Sequence, residues 1–140
     1  MKFALTRASE FAASWIEAWN SHDLDRIAAF YSENALLSSP FVRTITGGNA
    51  TSIRGRLALQ DYFSAALQRF PSLYFRLRAV YAGEEDVILV HDSVNGLVAT
   101  EKLNLNEKGQ IVRVWVYYGR VKTENADLGA RRSMYRQECR

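Results

Sequence analysis

The first seventy residues place apolar side chains at the three- and four-residue spacing that is typical of helices. One such stretch covers residues 8–19, and residues 20–23 break the pattern before a second helix begins. A third helical stretch spans residues 56–69. Between the second and third helices, the sequence predicts a short strand at 35–39 and a long polar loop over 42–55.

From Leu73 onward the pattern changes to the alternation of apolar and polar residues that is typical of strands. Three turn sequences divide this part of the chain: Gly83–Asp86, Asn95-Gly96 and Lys108-Gly109. The sequence therefore predicts an α+β fold. Three N-terminal helices are expected to pack on a curved, mostly antiparallel sheet, with a small apolar pocket between the two layers.

The length of the first hairpin turn decides which side chains face the helices. A two-residue loop at Asn95-Gly96, the strongest short hairpin signal, pairs Asp92 with Ala99 and turns Asp92 inward. A three-residue loop would shift the pairing by one residue, and His91 would then take the place of Asp92. The main prediction follows the two-residue loop.

The second hairpin turn sets the pairing of the last two strands. A two-residue loop at Lys108-Gly109 pairs Glu101 with Val116 and Ala99 with Tyr118. Since residues directly opposite each other share a face, all four side chains are expected to point toward the helices.

The inner face predicted in this way is apolar except for the carboxylates of Asp92 and Glu101. An isolated buried carboxylate is costly, so each must be neutral, hydrogen-bonded or placed at a cavity. The competing interpretation is that one or both form an ion pair with an arginine, such as Arg54 or Arg76, or lie at the solvated rim of the sheet. Perturbed carboxylates mark active sites and structural ion pairs alike.

These residues give the pocket three candidate catalytic groups and a mostly apolar wall. If the protein is an enzyme, Asp92 is the expected base. Glu101, kept neutral by burial, would donate a hydrogen bond to a developing oxyanion, assisted by Tyr118 or Trp15. The predicted lining residues are Trp15, Trp19, Tyr31, Ser39, Phe41, Phe63, Ala99, Val116 and, in the alternative register, His91.

The composition of the chain argues against several classes of function. The chain has 140 residues and a net charge of +3, and its basic residues are dispersed, so no nucleic-acid stripe is expected. A single cysteine, Cys139, allows neither a disulfide nor a zinc cluster, and we predict no metal and no cofactor. Without a secretory or membrane-spanning apolar stretch, the expected location is the cytoplasm and no membrane partner is expected.

The outer sheet face predicts self-association. Trp115 and Tyr117 alternate outward beside Val98 and Leu89, and such a patch would be unusual on a monomer. The predicted partners are therefore a small apolar molecule in the pocket and a second copy of the chain on the outer face. The competing explanation is that the C-terminal tail covers this patch.

Two stretches carry a resemblance to a known family. Phe11 to Asp25, which reads FAASWIEAWNSHDLD, and Phe30 to Ala35, followed by Ser39-Pro40, resemble the opening of the SnoaL-like branch of the nuclear transport factor 2-like superfamily. The similarity covers residues 5 to 121. It implies a cone-shaped domain over residues 1–121 that forms homodimers. Residues 122–140 are polar and weakly patterned, and they are expected to form a C-terminal tail that is either a frayed helix or disordered.

The resemblance does not assign a known reaction to this chain, because the catalytic residues of the related enzymes are only partly matched. Ser39 stands where related ketosteroid isomerases have their aspartate base, and Trp15 stands where they have the oxyanion-hole tyrosine. Glu101 matches their protonated carboxylic acid. Asp92 resembles one carboxylate of the related limonene epoxide hydrolases, but Val116 replaces the other. The sequence thus predicts a small-molecule pocket protein of the lyase, isomerase or cyclase kind, acting on an apolar ring or carbonyl compound. The alternative is a non-catalytic ligand-binding or dimeric assembly module.

Overall fold

The computed structural model describes residues 2–120, with side chains from residue 4 onward. The prediction of a polar tail over 122–140 lies outside the described residues. Within them, no helix combines the length and the apolar character that crossing a membrane requires.

One helix start and one helix end have an identifiable cause in the sequence. Asp23 caps the second helix, because its side chain accepts hydrogen bonds from the backbone N–H groups of Asp25 and Arg26. Gly47, in a left-handed conformation at φ 74°, ends the third helix. The helices are α1 (Lys2–Ser21), α2 (Leu24–Ala28), α3 (Phe41–Thr46) and α4 (Arg56–Arg69).

Six strands form one mixed sheet in the order β2-β1-β6-β5-β4-β3. All neighbouring strands are antiparallel except β1 and β6, which run parallel. The strands are β1 (Tyr31–Ser38), β2 (Ser52–Arg54), β3 (Arg76–Ala82), β4 (Asp86–Asp92), β5 (Val98–Leu105) and β6 (Ile111–Gly119). The predicted α+β class and mostly antiparallel sheet are confirmed.

The N-terminal half contains more structure than the sequence pattern indicates. There are four helices among the described residues rather than three, because the predicted loop over 42–55 contains most of α3 and all of β2. A six-residue helix is too short to show a periodic apolar stripe. Strand β1 also begins four residues earlier than expected, so it includes Tyr31.

The predicted two-residue turn at Asn95-Gly96 is wrong. Residues 93–97 join β4 to β5, and a short 3-10 turn within them places Asn95 in the left-handed conformation at φ 56°. The register therefore shifts, and Ala99 pairs with His91 instead of Asp92. The alternative register, with His91 inside, is the one that the structure adopts.

The second hairpin keeps the predicted pairs over most of its length. Ala99 pairs with Tyr118, and Glu101 pairs with Val116, as expected. An irregularity near the turn makes Leu105 pair with Ile111. Because this shift lies at the turn end, it leaves the orientation of Glu101 unchanged.

A clamp at the end of α1 fixes the segment that leads into β3. The Asn20 side chain donates to the Phe75 carbonyl at 2.9 Å and accepts from the Phe75 N–H at 2.6 Å. The His22 side chain donates from Nε2 to the Leu73 carbonyl at 2.7 Å. These bonds hold Phe75 against the core, where its ring lies 4.2 Å from that of His91.

The expected dimer through the outer sheet face remains a prediction. Leu89, expected in this patch, is instead fully buried on the inner face, because the shifted register exchanges the two faces of β4. Tyr117 is 57% exposed, and the Trp115 ring lies 4.3 Å from the Arg113 guanidinium and 5.1 Å from the Lys102 ammonium. We expect Trp115→Glu to convert a dimer into a monomer in sedimentation velocity, because it replaces the aromatic ring that is expected to make the contact with a charged group that association would have to desolvate. Tyr74→Glu, at an exposed aromatic residue outside the sheet, is the control. An unchanged mass for the Trp115 variant would contradict the interface.

Candidate functional site

A cavity of about 60 Å³ lies between the inner sheet face and the helices. It is small beside typical ligand pockets of roughly 300–1,000 Å³. Buried residues form its floor, and half-buried residues such as Phe41, Phe70 and Tyr118 form its rim. The lining residues are Trp19, Tyr31, Leu37, Ser39, Phe41, Ile45, Tyr62, Phe63, Ala66, Phe70, Leu73, Phe75, Ser93, Val94, Glu101, Val116 and Tyr118.

The polar centre of the cavity wall is a hydrogen-bonded pair on two neighbouring strands. His91 on β4 and Glu101 on β5 are diagonal neighbours on the same face, and 2.7 Å separates His91 Nε2 from Glu101 Oε2. Their side chains are 1% and 9% exposed. Glu101 belongs to the cavity wall, whereas His91 lies behind it, against the rings of Trp15 and Phe75.

The hydrogen bonds of His91 fix how many protons the pair holds. Nδ1 lies 3.2 Å from the Asp92 carbonyl oxygen, and since a carbonyl only accepts, Nδ1 carries a proton. One further proton is then shared between Nε2 and the Glu101 carboxyl. The pair is either imidazolium with carboxylate or imidazole with carboxylic acid, and both forms have no net charge. Two buried ionisable groups are satisfied in this way without a third charge.

Asp92, the base predicted from the sequence, cannot reach the cavity. It lies on the outer face, where Arg78 donates from Nε to Asp92 Oδ1 at 2.6 Å. The two side chains are 42% and 38% exposed, as in a surface ion pair. The competing interpretation, a carboxylate paired with an arginine, is correct for Asp92, although the arginine is neither Arg54 nor Arg76. The error comes from the one-residue shift in the hairpin register.

Tyr31 lies at the floor of the cavity beside two tryptophans. The Trp15 indole N–H donates to the Tyr31 hydroxyl at 3.2 Å. Within the described residues, the Trp19 N–H is buried and has no hydrogen-bond partner, although it lies near enough to Tyr31 to favour the ionised form of that phenol. Burial, followed by the charge of Glu101, nevertheless raises the pKa of Tyr31 well above its usual value.

Two further tyrosines surround Glu101. Burial raises the pKa of Tyr62 to about 12; the nearby Ser39 hydroxyl opposes this shift and Glu101 adds to it. Burial and then the charge of Glu101 also raise the pKa of Tyr118. Ser39 accepts a hydrogen bond from the Phe41 N–H at 3.2 Å, which fixes its hydroxyl near both phenols. The tyrosines are therefore neutral hydrogen-bond donors around one carboxyl group.

Most of the predicted lining residues do meet at the cavity. Those that the structure brings together there are Trp19, Tyr31, Ser39, Phe41, Phe63, Glu101, Val116 and Tyr118. Trp15, Ala99 and His91 are fully buried nearby but lie outside the lining, and Asp92 is on the opposite face. Tyr62 was missed, although it lies three residues after Leu59 and four before Ala66 and so belongs to the apolar stripe of α4.

The position of Ala99 makes a testable prediction about packing. Its methyl group lies between His91 and Tyr118 on adjacent strands and has no exposed surface. Because Ala99 does not line the cavity, Ala99→Leu should lower the free energy of unfolding by about 1–3 kcal/mol through overpacking. Denaturant titration measures this loss. Thr100→Leu, one residue along on the outer face, is the control, and equal stability of the two variants would contradict the packing assigned to Ala99.

Solved structures show the same fold. A SnoaL-like protein of unknown function from Burkholderia thailandensis is 31% identical, with a TM-score of 0.76 over 80% of this chain and 93% of that one. A candidate isomerase of the SnoaL-like family from Agrobacterium tumefaciens is 19% identical, with a TM-score of 0.66 over 81% and 98%. The epoxide hydrolase/cyclase-like enzyme SalBIII, which has a role in pyran ring formation in salinomycin, is also 19% identical, with a TM-score of 0.61 over 81% and 92%.

No curated protein matches the sequence at a significant level. The family comparison is nevertheless clear, because the model of the SnoaL-like domain matches residues 12–118, which is most of the chain. That range includes all four helices except the first part of α1, and it includes the Glu101–His91 pair. This protein belongs to the SnoaL-like domain family.

Proposed function

We propose that this protein is a small-molecule enzyme of the isomerase or cyclase kind, with Glu101 as its acid–base residue and His91 as the residue that positions Glu101. The observation that carries the proposal is the 2.7 Å contact between Glu101 Oε2 and His91 Nε2 at the wall of a mostly apolar cavity. A carboxyl group with one shared proton can both take and return a proton. Relatives of the same fold include isomerase-like and cyclase-like proteins, which supports the reaction class.

The geometry suits a carbonyl compound with an acidic C–H bond. The Glu101 carboxylate would take the proton from the carbon next to the carbonyl. The electron pair of the broken C–H bond would form a C=C bond to the carbonyl carbon, and the π pair of the C=O bond would move onto the oxygen. A hydroxyl of Tyr31, Tyr62 or Tyr118 would donate a hydrogen bond to that oxygen. Return of the proton from Glu101 to the same or another carbon completes exchange or isomerisation.

Hydrogen–deuterium exchange tests this proposal without knowledge of the substrate. Cyclopentanone and cyclohexanone are incubated with the protein in D₂O, and NMR follows the loss of the proton signal next to the carbonyl. We expect Glu101→Gln to slow the catalysed exchange by about 10²–10⁴-fold, the usual contribution of a general base. Asp92→Asn should leave the exchange unchanged, because Asp92 is on the outer face. If the two variants behave alike, Glu101 is not the base.

The alternative is a non-catalytic ligand-binding module with the same cavity. Such a module would bind small ketones, as shown by ligand-dependent shifts in protein NMR spectra, without accelerating exchange in the wild type. Binding without exchange would therefore replace the enzymatic proposal with this alternative.

A further inference from the structure

The cavity wall is unusually rich in aromatic rings. Of its seventeen lining residues, eight are aromatic: Trp19, Tyr31, Phe41, Tyr62, Phe63, Phe70, Phe75 and Tyr118. Several of them pack on one another, with ring centroids 4.8 Å apart for Trp19–Phe63 and 5.0 Å apart for Tyr31–Phe63. The faces of such rings carry negative partial charge and attract cations.

The only ionisable side chain in this wall other than the tyrosines is Glu101, and the lining contains no lysine or arginine among the residues that the structure describes. His91 balances the charge of Glu101, but it lies behind the wall. When the shared proton is on His91, the negative end of the pair therefore faces the cavity.

We propose that the cavity selects ligands that carry a positive charge on a small apolar group, such as an alkylammonium or iminium group. This inference rests on the proposed function in that the ligand occupies the same cavity, and it adds the charge class of the substrate. A cation would contact the aromatic rings and the Glu101 carboxylate at once, and it would favour the form of the pair in which His91 holds the shared proton. An anion would meet the carboxylate without any cationic group of the wall to balance it.

Three probes of similar shape and with the same number of non-hydrogen atoms separate charge from size: tetramethylammonium, tert-butanol and methanesulfonate. NMR titration of the full chain measures the dissociation constant of each. We expect tetramethylammonium to bind about 2- to 30-fold more tightly than tert-butanol, the range that cation–π contacts provide. Methanesulfonate should not compete with either probe. Equal or tighter binding of tert-butanol, or binding of methanesulfonate, would overturn the proposal.

Variants of single residues test whether the preference for the cation arises in the cavity. Glu101→Gln should reduce the preference for tetramethylammonium over tert-butanol and leave the affinity for tert-butanol nearly unchanged. If that variant does not fold, Phe63→Leu is the second test, because it removes one ring and should weaken the cation more than the alcohol. Asp92→Asn, on the outer face, should change neither affinity; a loss of cation binding in that variant would place the cation outside the cavity and overturn the proposal.

The outcome is separable from that of the exchange assay. A cation preference without ketone exchange would leave the charge selectivity standing and remove the proposed catalysis. Ketone exchange without a cation preference would leave the proposed catalysis standing and remove the charge selectivity.

Discussion

Replacement of His91 by leucine is expected to lower the free energy of unfolding by about 3–5 kcal/mol at neutral pH. The leucine side chain fills much of the space beside Trp15 and Phe75, so the main loss is electrostatic. Glu101 would remain buried without the partner that now lies 2.7 Å away. Removal of one member of a buried pair costs this much because an uncompensated ionisable group is left behind. Urea denaturation followed by tryptophan fluorescence measures the change.

Two controls separate the broken pair from a simple packing defect. The double variant His91→Leu with Glu101→Met should recover most of the lost stability, because replacement of both partners by apolar groups can be nearly neutral. Arg78→Leu breaks the neighbouring surface pair with Asp92 and should cost at most about 1 kcal/mol. If the double variant is as unstable as the single one, the loss comes from packing, and the pair is not the source of the effect.

Alkaline pH should unfold the protein through its buried tyrosines. Burial is the first cause of the raised pKa in Tyr31, Tyr62 and Tyr118. A tyrosine with a raised folded pKa stabilises the fold below the unfolded value of about 10, and this stability is lost as pH rises toward the folded value. For Tyr62, with a folded pKa of about 12, the loss between pH 10 and 12 is roughly 2–3 kcal/mol. Tyr31 and Tyr118 act in the same direction.

Denaturation curves at intervals from pH 8 to 11.5 check this dependence, and absorbance at 295 nm reports tyrosine ionisation in the same samples. Tyr62→Phe should make the decline of stability with pH less steep. Tyr117→Phe is the matched control, because Tyr117 is 57% exposed. A Tyr62→Phe variant that loses stability as steeply as the wild type would show that Tyr62 ionises without unfolding.

Glu101 and His91 show what sequence reasoning could and could not reach. The pairing of Glu101 with Val116 was predictable, because the second hairpin keeps its register over most of the two strands. The orientation of His91 depended on one turn, and a side-chain period of two means that an error of one residue exchanges the faces. Asn95-Gly96 usually forms a two-residue loop, yet here both residues lie in a longer turn. Tertiary packing of the inner face overrides the local preference of the turn.

The N-terminal half shows a second limit of prediction from the sequence. The apolar stripe of α4 predicted Phe63 correctly and contained the signal for Tyr62. Helix α3, by contrast, has only six residues and one buried side chain, Val42, so a polar loop was the natural interpretation of its sequence. Phe41 still reached the rim of the cavity, as predicted, because its ring packs on Phe70 and Tyr118 rather than because of any local pattern.

The parallel pairing of β1 with β6 has a consequence for folding kinetics. Leu37 pairs with Val114 and Ser38 with Trp115, so these contacts join residues 77 positions apart. The antiparallel strands from β3 to β6 are connected by short turns and can form from local contacts, whereas the β1–β6 pair must close a long chain segment first. The cavity draws its walls from both halves, from Trp19 to Tyr118. During synthesis, the cavity can therefore be completed only after nearly the whole domain has left the ribosome.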